Sequence, residues 1–184
     1  MQIAVQRAAD TLLAGGVIAY PTEGVFGLGC LPDEPRALLR LLAIKGRAME
    51  KGLILIAAEP KHLEGWVADE DIGRLPPPDA SRAITWIVRP GPETTALVTG
   101  ANRGVAVRLT TNAVARDLCR AVSMPVTSTS ANFSGRPVAR NRYILQRQFS
   151  GRVDFIVPGH CGPGTGPSEI RELSSGKTLR PGKS

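Results

Sequence analysis

Three short segments carry side chains whose types and spacing suit an anionic ligand. Lys45, Arg47 and Lys51 fall just before the apolar run "LILIA", residues 53–57. "TSTSANFSGRP", residues 127–137, sets four consecutive hydroxyls and Asn132 ahead of a basic stretch. "PTEG", residues 21–24, puts Thr22, Glu23 and Gly24 at the mouth of the apolar run Val17–Tyr20. Cations at strand edges, with hydroxyls and amides beside them, can cradle a phosphate chain without a dedicated phosphate loop. Each segment also has a plainer reading. Lys45 and Arg47 suit the negative end of a helix dipole, and the hydroxyl run suits turns. Their coincidence in one chain shifts the balance toward an anion site.

Other chemistries lack their residues. No G-x-x-x-x-G-K-[ST] occurs, and Gly27 and Gly29 do not extend into a dinucleotide fingerprint. His62 and His160 stand far from any paired cysteines, which argues against zinc. His160 and Cys161 are adjacent, but sequence neighbours point apart in most backbones and no carboxylate orients them. A serine nucleophile elbow is also missing.

The elements that must position these residues follow from pattern. A chain of 184 residues suits one domain, 1–184, with a sizeable core. No apolar run reaches the ~18 residues of a membrane span. Arg7 and Asp10 interrupt the first apolar pattern, which reads as an amphipathic helix rather than a signal peptide. With three scattered cysteines, the expectation is a cytoplasmic protein with reduced thiols. Apolar spacing predicts helices over 3–14, 35–45, 112–121 (with an Asn112 cap) and 141–149, and partial helix within 60–75. Strands are predicted at 17–20, 53–57, 83–88, 104–109, 125–129 and 153–157, with a closing hairpin over 168–173 and 177–179. Residues 24–29 read as a glycine-rich loop, and 158–168 as a turn-rich one. The expected fold class is α/β: a single-domain open, twisted, mixed sheet with flanking helices.

Charge is unevenly spread. Residues 1–92 hold 10 Lys/Arg and 11 Asp/Glu, whereas 93–184 hold 13 and 5. No carboxylate lies between Asp117 and Asp154, a span that contains Arg120, Arg136, Arg140, Arg142, Arg147 and Arg152. The plain reading is a solvated basic face; the functional one is a polyanionic partner such as nucleotide or RNA. Arg140 and Arg147, seven apart, would share a helix face, with Arg142 on another side.

Taken together, Lys45-x-Arg47 and Ser130-x-Asn132 resemble the K-x-R…S-x-N signature of the YrdC/TsaC threonylcarbamoyl-AMP synthases. "PTEGVFGLG", "VAVRLT", "STSANFSG", "PSEIREL" and "LRPG" match that family in order and spacing, over nearly the whole chain. The length resembles the short, single-domain bacterial type. The resemblance implies a YrdC-like fold and synthesis of L-threonylcarbamoyl-AMP and pyrophosphate from L-threonine, bicarbonate and ATP with Mg²⁺. Partner proteins would then transfer the threonylcarbamoyl group to the adenosine beside the anticodon of ANN-decoding tRNAs. It also implies roles. Lys45 and Arg47 are the catalytic pair and, with Lys51, hold the triphosphate; Ser130, Asn132 and Arg180 complete the ATP site. Arg108 pairs with the threonine carboxylate, with Thr22, Gly24, Ser128 and Ser168 around threonine and bicarbonate; no protein metal ligand is implied. Glu23 either caps local N–H groups or pairs with a cation.

The chain departs from the family pattern at Gly24, where many relatives have a second Thr, at Ala48, where many have Pro, and at Ile56, where some have His. "DASRA" stands before Thr85, where Pro-Gly-Pro is frequent. Two other classes stay open at this point. One is a binding module for double-stranded RNA or tRNA acting in ribosomal RNA maturation. The other is a carbamoyl-transfer domain of the kind found in longer hydrogenase maturation proteins. Retention of Lys45, Arg47, Ser130 and Asn132 together favours the synthase.

Overall fold

Strand-length apolar runs and helix-period stretches alternate along the chain and assemble into one nine-stranded mixed sheet. The computed structural model describes residues 1–79, 81–139, 141–163 and 166–182. In order come α1 (Gln2–Leu13), β1 (Ile18–Pro21), β2 (Phe26–Gly29), α2 (Pro35–Lys45), β3 (Ile54–Ala57), α3 (Asp69–Ile72), β4 (Ile84–Val88) and α4 (Ala96–Thr99). Then follow β5 (Val105–Leu109), α5 (Ala113–Val122), β6 (Val126–Ser130), α6 (Arg142–Phe149), β7 (Phe155–Ile156), β8 (Glu169–Glu172) and β9 (Thr178–Arg180). The spatial order is β7-β1-β2-β6-β3-β5-β4-β8-β9. Pairs β1/β7, β3/β5 and β4/β8 are parallel and the others antiparallel. Among the described residues, no helix is long and apolar enough to cross a membrane.

Alternation along each strand builds two apolar layers. Ala19, Phe26, Leu28, Leu55 and Val107 pack with Leu38 and Leu41 of α2 and Leu145 and Phe149 of α6. Ile18, Tyr20, Ile56 and Val126 pack on the other face with Leu12 of α1 and Leu118 of α5. The expected Asn112 cap accepts from the N–H groups of Val114 and Ala115, and Asn141 caps α6 in the same way, accepting from the N–H of Ile144. Gly46, at φ +58°, closes α2 in the left-handed conformation.

Two expectations are corrected. The segment read as a glycine-rich loop is largely β2, which pairs with β1 and β6; the turn is confined to Thr22–Val25. Its glycines serve close approach rather than a tight turn. A Cβ on Gly29 would lie 2.0 Å from the Thr127 carbonyl oxygen, so only glycine lets β2 and β6 meet there. The strand expected over 153–157 is reduced to Phe155–Ile156.

Candidate active site

An open cleft with about 640 Å³ of empty volume lies on the sheet face that carries α1 and α5, over residues of β2, β3, β5 and β6. Thr22, Gly24, Gly27, Ile54, Ser128 and Ser130 line it together with Arg47, Arg108, Ser168 and Arg180. Gly27 keeps the floor low: a Cβ there would stand 3.2 Å from the Ser128 hydroxyl oxygen and 3.3 Å from the Thr22 methyl. Three guanidiniums therefore face one space, and no carboxylate is among its described lining residues. Their electrostatics register the crowding. Desolvation, then the Arg180 charge, pulls Arg47 below the usual guanidinium value; desolvation, then Arg108, does the same to Arg180.

Arg108 is 7% exposed, and its counter-charge is Glu23, whose Oε2 lies 3.3 Å from Nη2. Neither Arg108 Nε nor Glu23 Oε2 has a hydrogen-bond partner among the described residues. Buried polar atoms are rarely left so; with Nε itself closed off from solvent, a carboxylate in the cleft would meet the part of the Arg108 guanidinium that lines it. Glu23 Oε1 accepts from the Thr110 hydroxyl at 2.5 Å and from the Thr111 N–H at 3.0 Å. Glu23 thus pairs with a cation, one of the two roles its sequence left open, and the backbone N–H it caps is not local but that of Thr111, 88 residues away. Burial pushes its carboxyl up, but Arg108 and these hydrogen bonds outweigh that and hold it below the usual carboxylate value.

Lys45 is placed differently from Arg47. It ends α2 and is only 4% exposed. Its ammonium donates to the Ser130 carbonyl at 2.5 Å, to Asn132 Oδ1 at 2.7 Å and to the Asn132 carbonyl at 3.0 Å, with Ser130 Oγ at 3.3 Å. Three N–H donors meeting four acceptors leave none for a ligand. Burial, then the Arg47 charge, draws its pKa down to about 8. Arg47 instead grips the Gly52 and Lys51 carbonyls while facing the cleft.

Residues 10–182 match the Sua5_yciO_yrdC family, described as "Telomere recombination". The chain belongs to the Sua5/YciO/YrdC family. A threonylcarbamoyl-AMP synthase of Stenotrophomonas maltophilia is 42% identical, over 97% of this chain and 98% of that protein. One of Cellvibrio japonicus is 44% identical, over 96% and 95%. P. abyssi Sua5, solved in complex with L-threonine, superposes with a TM-score of 0.85 at 27% identity, over 97% of this chain. This chain spans 54% of that longer structure.

Within this member of the Sua5/YciO/YrdC family, eight of the residues singled out from the sequence share the cleft: Thr22, Gly24, Arg47, Arg108, Ser128, Ser130, Ser168 and Arg180. Lys45, Lys51 and Asn132 are off its described lining. Lys51 is exposed on the short helix Met49–Lys51, where its carbonyl accepts from Arg47. Asn132 spends Oδ1 on Lys45 and Ser130 and donates to the Phe133 and Arg136 carbonyls, shaping the loop. The Thr22 hydroxyl is committed to the Val25 carbonyl. Sequence reasoning missed Gly27, Ile54, Thr110 and Thr85 as parts of the site. Strand alternation from Arg108 marks Thr110, but nothing local marks Thr85. His160 is exposed and burial raises the Cys161 thiol, so that pair shows no sign of activation.

Proposed function

We propose that the protein is an L-threonylcarbamoyl-AMP synthase, making L-threonylcarbamoyl-AMP and pyrophosphate from L-threonine, bicarbonate and ATP. The observation that carries this reading is the convergence of Arg47, Arg108 and Arg180 on one cleft with no carboxylate among its described lining residues. Threonine's amine and bicarbonate give a carbamate and water. A carbamate oxygen attacks the α-phosphorus of ATP, and the bond from that phosphorus to the bridging oxygen of pyrophosphate breaks. The carbamate is itself the nucleophile, so catalysis is positioning plus charge stabilisation. Arg108 takes the threonine carboxylate. Arg47 and Arg180 take the phosphates and the charge developing on pyrophosphate. Ser128 and Ser168 orient the carbamate, and Thr22 and Gly24 let the backbone approach threonine. Ser130 meets the nucleotide, held by Lys45 and Asn132; Lys51 reaches the triphosphate only from outside the cleft.

Mg²⁺ enters this reading with ATP. Among the described residues, no group of three or more His, Cys, Asp or Glu side chains could hold a metal ion. In this reading the nucleotide's phosphates carry the ion, and no residue of this chain is assigned to it. We also propose that the product passes to transferase partner proteins, and that tRNA meets the exposed arginines Arg136, Arg142, Arg147 and Arg152. The decisive experiment follows pyrophosphate from purified protein. Release is expected to require both L-threonine and bicarbonate; equal release without threonine would overturn the reading.

A further inference from the structure

Thr85, in β4, has no solvent-exposed surface, and its backbone partner in the neighbouring strand is Ile170. Its hydroxyl oxygen lies 2.7 Å from that of Ser168. Among the described residues, this is the one hydrogen bond that the Thr85 hydroxyl makes. The geometry alone allows either oxygen to donate, but the surroundings do not. If Ser168 donated, the Thr85 proton would be buried with no acceptor, an arrangement folded proteins avoid. Thr85 therefore donates and Ser168 accepts, which leaves the Ser168 proton for the cleft that Ser168 lines. Ser168 is otherwise held fast. Its carbonyl accepts from Arg180 Nη2 at 2.7 Å, and the N–H of Glu169 donates to the Ala83 carbonyl at 3.0 Å.

We propose that Thr85 is a positioning residue that makes Ser168 an obligatory hydrogen-bond donor to an oxyanion of the bound threonine, its carboxylate or carbamate. The proposal rests on the reading of the cleft as the amino-acid site of a synthase. In this arrangement the strand behind the cleft sets the polarity of a substrate-facing hydroxyl without touching substrate. A hydroxyl with a fixed proton suits a cleft lined by three guanidiniums, because it adds one more donor for the ligand's anionic oxygens.

The test is initial-rate kinetics of pyrophosphate release. Thr85→Val keeps the side-chain volume and removes the hydroxyl. It is expected to raise the KM for threonine about 5- to 10-fold, the scale of one weakened hydrogen bond to a charged group, and to leave the KM for ATP within about twofold. Thr85→Ser should restore threonine KM to within about twofold. In a Ser168→Ala background, Thr85→Val should add nothing, since the pair acts as one unit. Should Thr85→Val fold poorly, Thr85→Cys, a weaker donor, is expected to give an intermediate KM. A threonine KM unchanged across the Thr85 series, or an equal rise in the Ser168→Ala background, would leave Thr85 as a tie between strands. Those results overturn this proposal alone; threonine-independent release by the unmodified protein overturns the synthase reading and this proposal with it.

Discussion

Two arginine-rich regions lie in this chain, and they behave as opposites. Arg47, Arg108 and Arg180 are scattered in sequence yet share one cleft, where partial or near-complete burial and mutual repulsion act on them. Arg136, Arg142, Arg147 and Arg152 are close in sequence yet each stands exposed to solvent. The Arg152 guanidinium lies 5.3 Å from the centre of the Phe133 ring, an ordinary resting place for a surface cation. Arg140 lies outside the described residues. Density of charge along the chain is therefore a poor guide to a site. What distinguishes the cleft is that its cations are drawn together from β5, β9 and the end of α2 with donors to spare, so that a ligand supplies what the protein does not.

The contrast is broken most directly at Arg108. Arg108→Ala should lower kcat/KM for threonine by about 100-fold, taking two charge-assisted hydrogen bonds at about 1.5 kcal/mol each. Threonine-saturation kinetics measure it, and a loss under about threefold would return Arg108 to a purely structural pair with Glu23.

A second comparison sharpens the first within one tripeptide. Arg47→Ala should lower kcat by about 100-fold, as for a lost electrostatic donor, while Tm falls less than in Lys45→Ala, because only the Gly52 and Lys51 carbonyls lose a donor. Lys45→Ala should also reduce turnover, but through the fold. It orphans the Ser130 and Asn132 oxygens, a cost of about 2 kcal/mol, and should lower Tm by about 4–8 °C for a chain of this size. Scanning calorimetry beside kinetics separates them; identical Tm values for the two variants would erase the distinction between clamp and ligand.

Glu23 offers a test in pH. Its folded pKa lies below the ordinary glutamate value of 4.5, so the unfolded chain binds a proton more readily than the folded one. The stabilisation is present above about pH 4.5 and is lost as pH falls through the lower folded value. Glu23→Gln should therefore flatten the decline of Tm with acid below pH 4.5; an unchanged slope would mean that other carboxylates carry it.

The smallest effect is expected at the exposed arginines. Replacing Arg142, Arg147 and Arg152 with Ala should leave synthase kinetics within about twofold, consistent with their distance from the cleft lining. If these arginines meet RNA, the log–log salt slope of binding should shrink by about one for each arginine removed. Binding that is absent at low salt would leave the segment as a solvated surface.

Local physics was legible in the sequence because it acts over a few residues. The helix periods, the Asn112 cap, the helix end at Gly15–Gly16 and most strands follow from side-chain spacing and capping chemistry. So does the family, because its motifs recur in order along the chain. The partners of each side chain were not legible, because they are chosen by strand pairing across long separations. Lys45 meets Ser130 and Asn132 some 85 residues away only because β6 inserts between β2 and β3. Glu23 meets Thr110 across 87 residues, and Thr85 meets Ser168 across 83. The same register makes Gly29 a close-approach residue rather than a loop residue. Composition could say that the chain carries cations, hydroxyls and one carboxylate near a strand mouth. Only the sheet decided which cation is spent on the fold, which waits for a ligand, and which buried hydroxyl points a proton into the cleft. A hydrogen bond constrains a few ångströms of space but nothing about the distance between its partners along the chain.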